Sequence, residues 1–352
     1  MASVLYVASL NPRDGKTVLS AALASVWQQA GKRVEYLKPI SIGDSCPADE
    51  EFLFSRRALG LEKGPGSTVS IAVTPGSQEG SALEEVQSKV KTICRESSED
   101  ADVVILEAPG GAREGDPGRE ISPAVVQAID AKVLLVARYV RGMDKEGAVA
   151  AAQLFGEALA GVVVNAVPKL SWRLASTSFT TSLTEAGLKV LGLIPESRAM
   201  LGISVRELIE KLNGRYALEI GDSEALVESI LVGANVLDTA GYPAGPQYFG
   251  AKENKAVISK GDRPDFQWAA LDTHTLCLIL TGNHEPIPYV VEKAREKQIP
   301  LAVVEKDTLD ILASVEELLA DARFDGKVKL ERFQALTEES VDLSALNSTL
   351  GI

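Results

Sequence analysis

The chain has 352 residues, of which 45% are hydrophobic and 24% charged, with a formal net charge of −13 at pH 7. This composition is typical of a two-domain globular protein and excludes collagenous, disordered and disulfide-stapled chains. The negative charge disfavours nucleic acid as a partner. The three scattered cysteines favour a reducing, cytoplasmic setting, and no apolar run reaches the roughly 18 residues that span a membrane.

Short apolar segments alternate with helical segments over about the first 214 residues. The pattern predicts strands that are buried on both faces at 4–8, 34–37, 103–106, 133–136, 162–164 and 190–193. It predicts helices at 17–30, 82–94, 122–129, 146–159, 173–187 and 201–212. Such alternation is typical of the α/β class, with a doubly wound, mostly parallel sheet.

A second, smaller α/β pattern follows a predicted loop at 241–246. Its predicted strands are 256–259, 276–280 and 301–304, and its predicted helices are 266–272, 289–296 and 308–319. The residues from 326 onward are polar and weakly patterned. We therefore predict a first domain over 1–214, a second over 220–330 and a C-terminal tail over 331–352.

The segment 9–17, named here the phosphate loop, ends in Gly15-Lys16-Thr17 where the first strand gives way to a helix. This triplet in this place is typical of a P-loop, because the unpaired N–H groups at a helix N-terminus bind phosphate oxygens. Lys16 is expected to reach the β- and γ-phosphates, and Thr17 to ligate Mg²⁺. Leu10 stands where the full pattern has glycine, so its conformation must suit a bulky residue.

Charged side chains follow two further predicted strands. Glu107 ends the strand 103–106 and precedes Ala108-Pro109-Gly110-Gly111, where a carboxylate can hold Mg²⁺ beside the phosphates. Lys38 ends the strand 34–37 and is expected to face the same crevice, the alternative being a solvated lysine. Asp49, which is followed by Glu50, either completes the Mg²⁺ shell or only caps the next helix.

Together these motifs resemble the dethiobiotin synthetase family of P-loop proteins, which includes the amino-terminal domains of cobyrinic acid a,c-diamide synthase and of long bacterial phosphate acetyltransferases. The resemblance covers about residues 1–214. It rests on the phosphate loop, Lys38-Pro39, Asp49, the segment 107–111, Asn165, and the segments 191–196 and 204–208.

The resemblance implies that ATP or GTP binds with Mg²⁺. The nucleotide contacts then come from Asn11, Pro12, Arg13, Asp14, Gly15, Lys16, Thr17 and Val18, with Asn165, Pro195 and Glu196 bordering the base. The implied metal ligands are Thr17, Asp49 and Glu107, and the implied catalytic residues are Lys16, Lys38 and Glu107.

The sequence differs in two features from the synthetases, the enzymes in which ATP phosphorylates a carboxylate or carbamate. Ser9-Leu10-Asn11 replaces the family's Gly-Thr-Asp start, and residues 66–80 do not match its amine-substrate segment. Asn11 also stands where partner-switching ATPases of the septum-site type carry a lysine, which disfavours an ATP-gated dimer switch.

The segment Asp262-Arg263-Pro264-Asp265-Phe266 resembles the start of the DRTGG domain, over about residues 220–330. Gly282, Ile299-Pro300-Leu301 and Asp307-Thr308 support this resemblance. It implies a ligand or dimer surface at the loops 262–263 and 281–284; alternatively, Asp262 only caps a helix. No nucleophile stands beside a base in this part, so the sequence predicts no chemistry there.

Three functions remain. We favour a nucleotide-binding regulatory or sensing protein linked to small-molecule metabolism, possessing at most a slow NTPase activity. The alternatives are an ATP-dependent ligase that phosphorylates a carboxylate or carbamate, and a degenerate module without nucleotide. Acetyltransferase activity is not expected, since the chain ends where that catalytic domain would begin. The expected partners are a nucleotide, a small carboxylate and, by family analogy, a second copy of the chain.

Overall fold

The computed structural model describes residues 2–46, 48–62, 71–74, 80–143, 145–233, 244–320 and 324–352. The chain divides into two compact units. Unit 1 consists of Met1–Ser197 and Lys329–Ile352, and unit 2 consists of Arg198–Val328. These divisions differ from the predicted boundaries at 214 and 331, and the domain limits stay a prediction.

Unit 1 begins with strands and helices that alternate along the chain. In order they are β1 (Ser3–Ser9), α1 (Lys16–Gln29), β2 (Val34–Leu37), β3 (Ile40–Ile42), α2 (Glu50–Ala58), β4 (Ile71–Val73), α3 (Gly80–Ser98), β5 (Val103–Glu107), α4 (Pro117–Ile129), β6 (Lys132–Arg138), α5 (Glu146–Gln153), β7 (Leu159–Val167), α6 (Trp172–Leu174), α7 (Thr180–Glu185) and β8 (Val190–Pro195).

The central sheet of unit 1 has six parallel strands in the order β2-β5-β1-β6-β7-β8. Every residue of β5 is buried, as expected for a strand covered on both faces. The predicted doubly wound, mostly parallel sheet is confirmed. Connections from the neighbours β1 and β5 run to opposite sides, to β2 and β6, so a crevice lies at their carboxyl ends.

Unit 2 is the predicted smaller α/β part. Its elements are β9 (Ile203–Ser204), α8 (Val205–Lys211), β10 (Arg215–Leu218), β11 (Leu226–Val227), β12 (Ser229–Gly233), α9 (Ala244–Gly250), β13 (Lys255–Lys260), α10 (Pro264–Leu271), β14 (Thr275–Thr281), α11 (Pro288–Lys297), β15 (Leu301–Val303) and α12 (Thr308–Ala320).

Five strands form the sheet of unit 2, in the order β10-β15-β14-β13-β12. β10 is antiparallel to β15, and the other pairs are parallel. Alternate residues belong to two separate hydrophobic clusters: Ile258 lies in one, and Val257 and Leu278 lie in the other. The sheet is therefore covered on both faces.

The segment predicted to be a polar tail forms two helices, α13 (Lys327–Ser340) and α14 (Leu343–Leu350). Buried apolar side chains are sparse in α13, which explains why its pattern is weak in the sequence. Hydrogen bonds join the segment to unit 1: Trp27 Nε1 donates to Asn347 Oδ1 at 2.9 Å, and Ser25 Oγ donates to Gln334 Oε1 at 2.8 Å. The C-terminal segment is therefore an integral part of unit 1.

Several predicted elements differ in extent from the observed ones. The helix predicted at 201–212 is shortened to Val205–Lys211, because the strand Ile203–Ser204 precedes it. The helix predicted at 173–187 is interrupted by a π-helix, Ala175–Phe179, where Thr180 Oγ1 donates to the Ala175 carbonyl. The helix predicted at 146–159 ends at Gln153, shortly before Gly156 with its φ of 51°. Of the loop predicted at 241–246, residues 241–243 lie outside the described residues, and α9 begins at Ala244.

Within the described ranges, no helix is both long and apolar enough to cross a membrane.

The packing of α14 predicts a large effect of truncating Leu346, whose side chain is fully buried. We expect Leu346→Ala to lower the free energy of unfolding by about 2–5 kcal/mol, the range for a buried Leu→Ala cavity. Leu170 is fully exposed in the same unit, so Leu170→Ala is the control and should change it by less than about 0.5 kcal/mol. Urea denaturation followed by circular dichroism measures both; equal effects would show that α14 is not packed on unit 1.

Candidate functional site

The phosphate loop turns the chain from β1 into α1 through two residues in the left-handed region. Arg13 has a φ of 68°, and Gly15, the N-cap of α1, has a φ of 105°. In the described part of the chain, the backbone N–H groups of residues 15–18 have no hydrogen-bond partner. The first turn of a helix leaves such donors free, together with the positive end of the helix dipole. The loop can therefore accept an anion.

Leu10, which replaces the expected glycine, lies in the hydrophobic core of unit 1 and is fully buried. Its N–H donates to the Val136 carbonyl at 3.0 Å, and its carbonyl accepts from Ala112 N at 3.2 Å. Its φ is not positive, so the leucine is accommodated without backbone strain. The substitution thus leaves the donors at the start of α1 accessible.

Asp14 stabilises the conformation of the phosphate loop through hydrogen bonds within it. Its carboxylate accepts from Asn11 N at 2.9 Å, and burial raises the pKa of this carboxyl. The Asp14 carbonyl accepts from Asn165 Nδ2 at 2.9 Å, which ties the loop to the end of β7. A Cβ atom on Gly15 would lie 2.3 Å from the same Asn165 Nδ2, so this position requires a residue without a side chain.

Lys16 is buried at the start of α1, with 7% of its surface exposed. Its Nζ donates to Ser9 Oγ at 2.9 Å and to the Gly110 carbonyl at 2.6 Å. Burial lowers the pKa of Lys16, and the negative charge of Glu107 opposes this effect only in part. An ammonium has three N–H donors, so one remains for a ligand.

Glu107 ends β5 and is 1% exposed. Its Oε1 accepts from Thr17 Oγ1 at 2.9 Å, and its Oε2 accepts from Tyr36 OH at 2.5 Å. Burial, followed by the charge of Glu107, raises the pKa of Tyr36 well above its usual range, so the phenol stays protonated and donates. This carboxylate therefore joins the end of β5 to β2 and to the start of α1.

Lys38 lies between two carboxylates. Its Nζ is 2.6 Å from Asp49 Oδ2 and 2.9 Å from Glu107 Oε1. Burial alone would lower the pKa of Lys38, but the two carboxylates outweigh burial and raise it. For Asp49, burial would raise the pKa of the carboxyl, and Lys38 reverses this and lowers it. Lys38 and Asp49 are therefore both charged at neutral pH.

The predicted metal ligands Thr17, Asp49 and Glu107 thus lie around one point, linked by Thr17 to Glu107 and by Lys38 to both carboxylates. A hydroxyl and two carboxylates are the hard oxygen donors that Mg²⁺ prefers, so the residues fit this metal. Asp49 also caps α2, because its Oδ1 accepts from Phe52 N at 2.9 Å. The capping alternative is therefore realised, and metal binding by Asp49 stays a prediction.

The other residues predicted to contact the nucleotide make fewer contacts with the phosphate loop. Pro12 and Arg13 are exposed on the loop, and Val18 is half-buried. Pro195 ends β8, and the Glu196 N–H donates to the Val167 carbonyl at 2.9 Å. Within the described residues, no hydrogen bond or ion pair joins Pro195 or Glu196 to the phosphate loop.

Three contacts of the site are absent from the sequence prediction. They are the phenol of Tyr36, the hydroxyl of Ser9 and the carbonyl of Gly110. Tyr36, two residues before Lys38, belongs to no recognisable motif. It lies beside Glu107 because β2 pairs with β5. Residues 66–80, which do not match the amine-substrate segment, are described only at 71–74 and 80.

Comparison with known proteins gives two family matches and several distant relatives. A family model described as an AAA domain matches residues 3–202, more than half of the chain, and a model of the DRTGG domain matches residues 207–318. These matches confirm the two resemblances drawn from the motifs.

Two of the curated proteins that are similar to the chain are a phosphate acetyltransferase and a dethiobiotin synthetase. The phosphate acetyltransferase of Haemophilus influenzae is 21% identical over 385 positions, which cover 99% of this chain and 53% of that protein. This chain thus spans about half the length of that relative. The ATP-dependent dethiobiotin synthetase of Marinobacter nauticus is 28% identical over 204 positions, covering 54% of this chain and 86% of that protein. Among solved structures, the MinD cell division protein of Aquifex aeolicus has a TM-score of 0.38 and 19% identity, covering 57% of this chain and 84% of that one.

The close approach of Asn165 to Gly15 gives a prediction with a matched control. Gly31 also has a positive φ, 81°, but a Cβ there would meet nothing within 4 Å. We expect Gly31→Ala to cost about 1–2 kcal/mol of stability through its backbone alone. Gly15→Ala should cost about 1 kcal/mol more, because it also displaces the hydrogen bond from Asn165.

Urea denaturation in an Asn165→Ala background isolates this second contribution. The excess cost of Gly15→Ala should disappear there, since the amide it would displace is already absent. An excess of the same size in both backgrounds would rule out Asn165 as its cause.

Proposed function

We propose that this chain, which belongs to the AAA domain family and carries a DRTGG domain after it, binds a nucleoside triphosphate with Mg²⁺ at the phosphate loop. The observation that carries the proposal is the set of free N–H groups at residues 15–18, beside the Lys16 ammonium and the Thr17 hydroxyl. Backbone donors, a helix dipole and a lysine together make an anion site of the kind that holds phosphate.

Each residue of the site has a task in this proposal. The N–H groups of residues 15–18 and the third N–H of Lys16 bind phosphate oxygens, and Asn11 and Asp14 keep the loop in shape. Thr17, Asp49 and Glu107 hold Mg²⁺, which when bound neutralises charge on the phosphates. The exposed Pro12 and Arg13 and the half-buried Val18 complete the binding surface, while Asn165, Pro195 and Glu196 border the base of ATP or GTP.

We propose further that nucleotide binding serves a regulatory or sensing role linked to small-molecule metabolism. Two observations support this role: the phosphate-binding residues are retained without a recognised amine-substrate segment, and a DRTGG domain follows on the same chain. Similarity to a phosphate acetyltransferase along 99% of this chain supports the metabolic link. In this proposal the protein is cytoplasmic and dimeric, with a small carboxylate as a second ligand.

A ligase of the dethiobiotin synthetase type is the second candidate. Lys38 favours it, because this cation stands beside the proposed metal ligands, where it could hold the carboxylate or carbamate that accepts a phosphoryl group. The 28% identity to a dethiobiotin synthetase also favours it. A ligase shows ATP turnover that rises with a small carboxylate or diamine. A sensor shows slow hydrolysis and a nucleotide-dependent change in assembly.

Substitution of Lys16 tests nucleotide binding. We expect Lys16→Ala to weaken the binding of Mg·ATP or Mg·GTP by a few kcal/mol, about 2–3 per lost charge-assisted contact. Lys189→Ala is the control, because Lys189 is exposed and precedes β8, at the edge of the sheet opposite the crevice. Isothermal titration calorimetry with and without Mg²⁺ measures both variants.

Thr17→Ala extends the same experiment. It should weaken binding in the presence of Mg²⁺ much more than in its absence, since the hydroxyl acts through the metal. Equal affinities of Lys16→Ala and the wild type would remove Lys16 from the site and contradict the proposed function.

A further inference from the structure

We propose that the Lys38 ammonium is a built-in cation that occupies the divalent-metal position between Asp49 and Glu107, and that Mg²⁺ displaces it toward the bound anion. The identity of the metal and of the anion rests on the proposed function. The exchange itself rests on the contacts of the three side chains, which are 18%, 29% and 2% exposed for Lys38, Asp49 and Glu107.

Each carboxylate has one oxygen committed to the scaffold. Glu107 Oε2 accepts from the buried phenol of Tyr36, and Asp49 Oδ1 accepts from the N–H of Phe52 at the start of α2. The opposite oxygen of each group, Oε1 of Glu107 and Oδ2 of Asp49, is the one that Lys38 contacts. A metal held by these two residues must therefore compete with Lys38 for the same two oxygens.

Oε1 is the oxygen of Glu107 that contacts the phosphate loop, through Thr17. The Thr17 hydroxyl donates to this atom at 2.9 Å, so the two proposed metal ligands on α1 and β5 already meet there. Tyr36 acts as a positioning residue, because its bond to Oε2 fixes the carboxylate with Oε1 turned toward Thr17 and Lys38. The carboxylate is therefore held in place for whichever cation it binds.

The two cations exclude each other. Mg²⁺ binds carboxylate oxygens at about 2.0–2.1 Å, which would bring it against an ammonium that contacts the same atoms. Positive charges so close in a largely buried cluster repel strongly, because little water screens them. The Lys16 ammonium adds to this repulsion, since its charge and that of Lys38 already act on each other. Metal entry and Lys38 departure are thus one event.

The displaced ammonium needs a new anionic partner, and the phosphate loop supplies one when it is loaded. Metal binding and anion binding then favour each other through Lys38. The metal displaces the ammonium from the two carboxylates, and the bound anion provides it with a new ion pair. By linkage, the coupling is reciprocal. The consequence is a site whose two carboxylates are partly neutralised by Lys38 when it is empty, and which binds Mg²⁺ weakly until the anion arrives.

The test measures the affinity of the full chain for Mn²⁺ in the absence of nucleotide. The electron paramagnetic resonance signal of free Mn²⁺ gives the fraction bound. We expect Lys38→Gln to bind Mn²⁺ at least about tenfold more tightly than the wild type, as close charge pairs couple by about 1.5 kcal/mol or more. Lys132→Gln is the matched control, because Lys132 is exposed at the opposite end of β6, and it should bind as the wild type does.

Lys38→Arg distinguishes the effect of the positive charge from that of side-chain shape, because arginine keeps a cation at this position. It should retain the weak Mn²⁺ affinity of the wild type. A rise as large as that of Lys38→Gln would show that the charge is not the competitor, and the proposal would be wrong. No rise in Lys38→Gln, or a fall, would also overturn it.

A measurement on the wild type covers the case in which Lys38→Gln does not fold. Saturating Mn²⁺ should increase the labelling of Lys38 by an amine-acylating reagent, quantified by mass spectrometry, while Lys132 labelling stays constant. Unchanged labelling at saturation would contradict displacement. Neither experiment contains nucleotide, so failure of nucleotide binding to the wild type would refute the proposed function and leave the exchange standing.

Discussion

The buried carboxylate of Glu107 is the group on which the arrangement of the site depends. Removing a carboxylate from water is costly unless hydrogen bonds and opposite charge compensate it. Glu107 is compensated by Thr17 from α1, Tyr36 from β2 and Lys38 beyond the end of β2. These partners follow strands on both sides of β5 in the sheet. The compensation of one charge therefore fixes the relative positions of the residues proposed to bind phosphate and metal.

Close backbone packing holds the phosphate loop against the segment that follows Glu107. A Cβ on Gly111 would lie 2.7 Å from the Leu10 carbonyl, and a Cβ on Gly110 would lie 2.3 Å from Asp116 Oδ1. Gly111 therefore allows the two loops to come into contact, whereas Gly110 leaves room for Asp116, and the Gly110 carbonyl accepts from Lys16 Nζ. Leu10 fits because it contributes only backbone to this contact while its side chain fills the core.

Periodicity predicts the fold and one motif predicts the phosphate loop, but neither predicts the hydrogen bonds and ion pairs between the side chains. The strands of the first sheet are mostly apolar, and Gly15-Lys16-Thr17 is a local pattern, so both are visible in the sequence. The contact of Tyr36 with Glu107 depends on a strand register between residues 71 positions apart, which no local pattern encodes. The sequence pattern does not predict the C-terminal helices, because few buried residues of α13 are apolar and polar side chains of the segment pair instead with α1.

The two lysines of the site differ in how their charge is compensated, and this difference assigns them distinct tasks. Lys16 contacts a hydroxyl and a carbonyl, and burial lowers its pKa. Lys38 contacts two carboxylates, which outweigh its burial and raise its pKa. A phosphate would therefore give Lys16 an anionic partner in direct contact, whereas it offers Lys38 nothing that Asp49 and Glu107 do not already provide. In the proposed function, anion binding therefore begins at Lys16, and Lys38 joins only after another cation has taken its carboxylates.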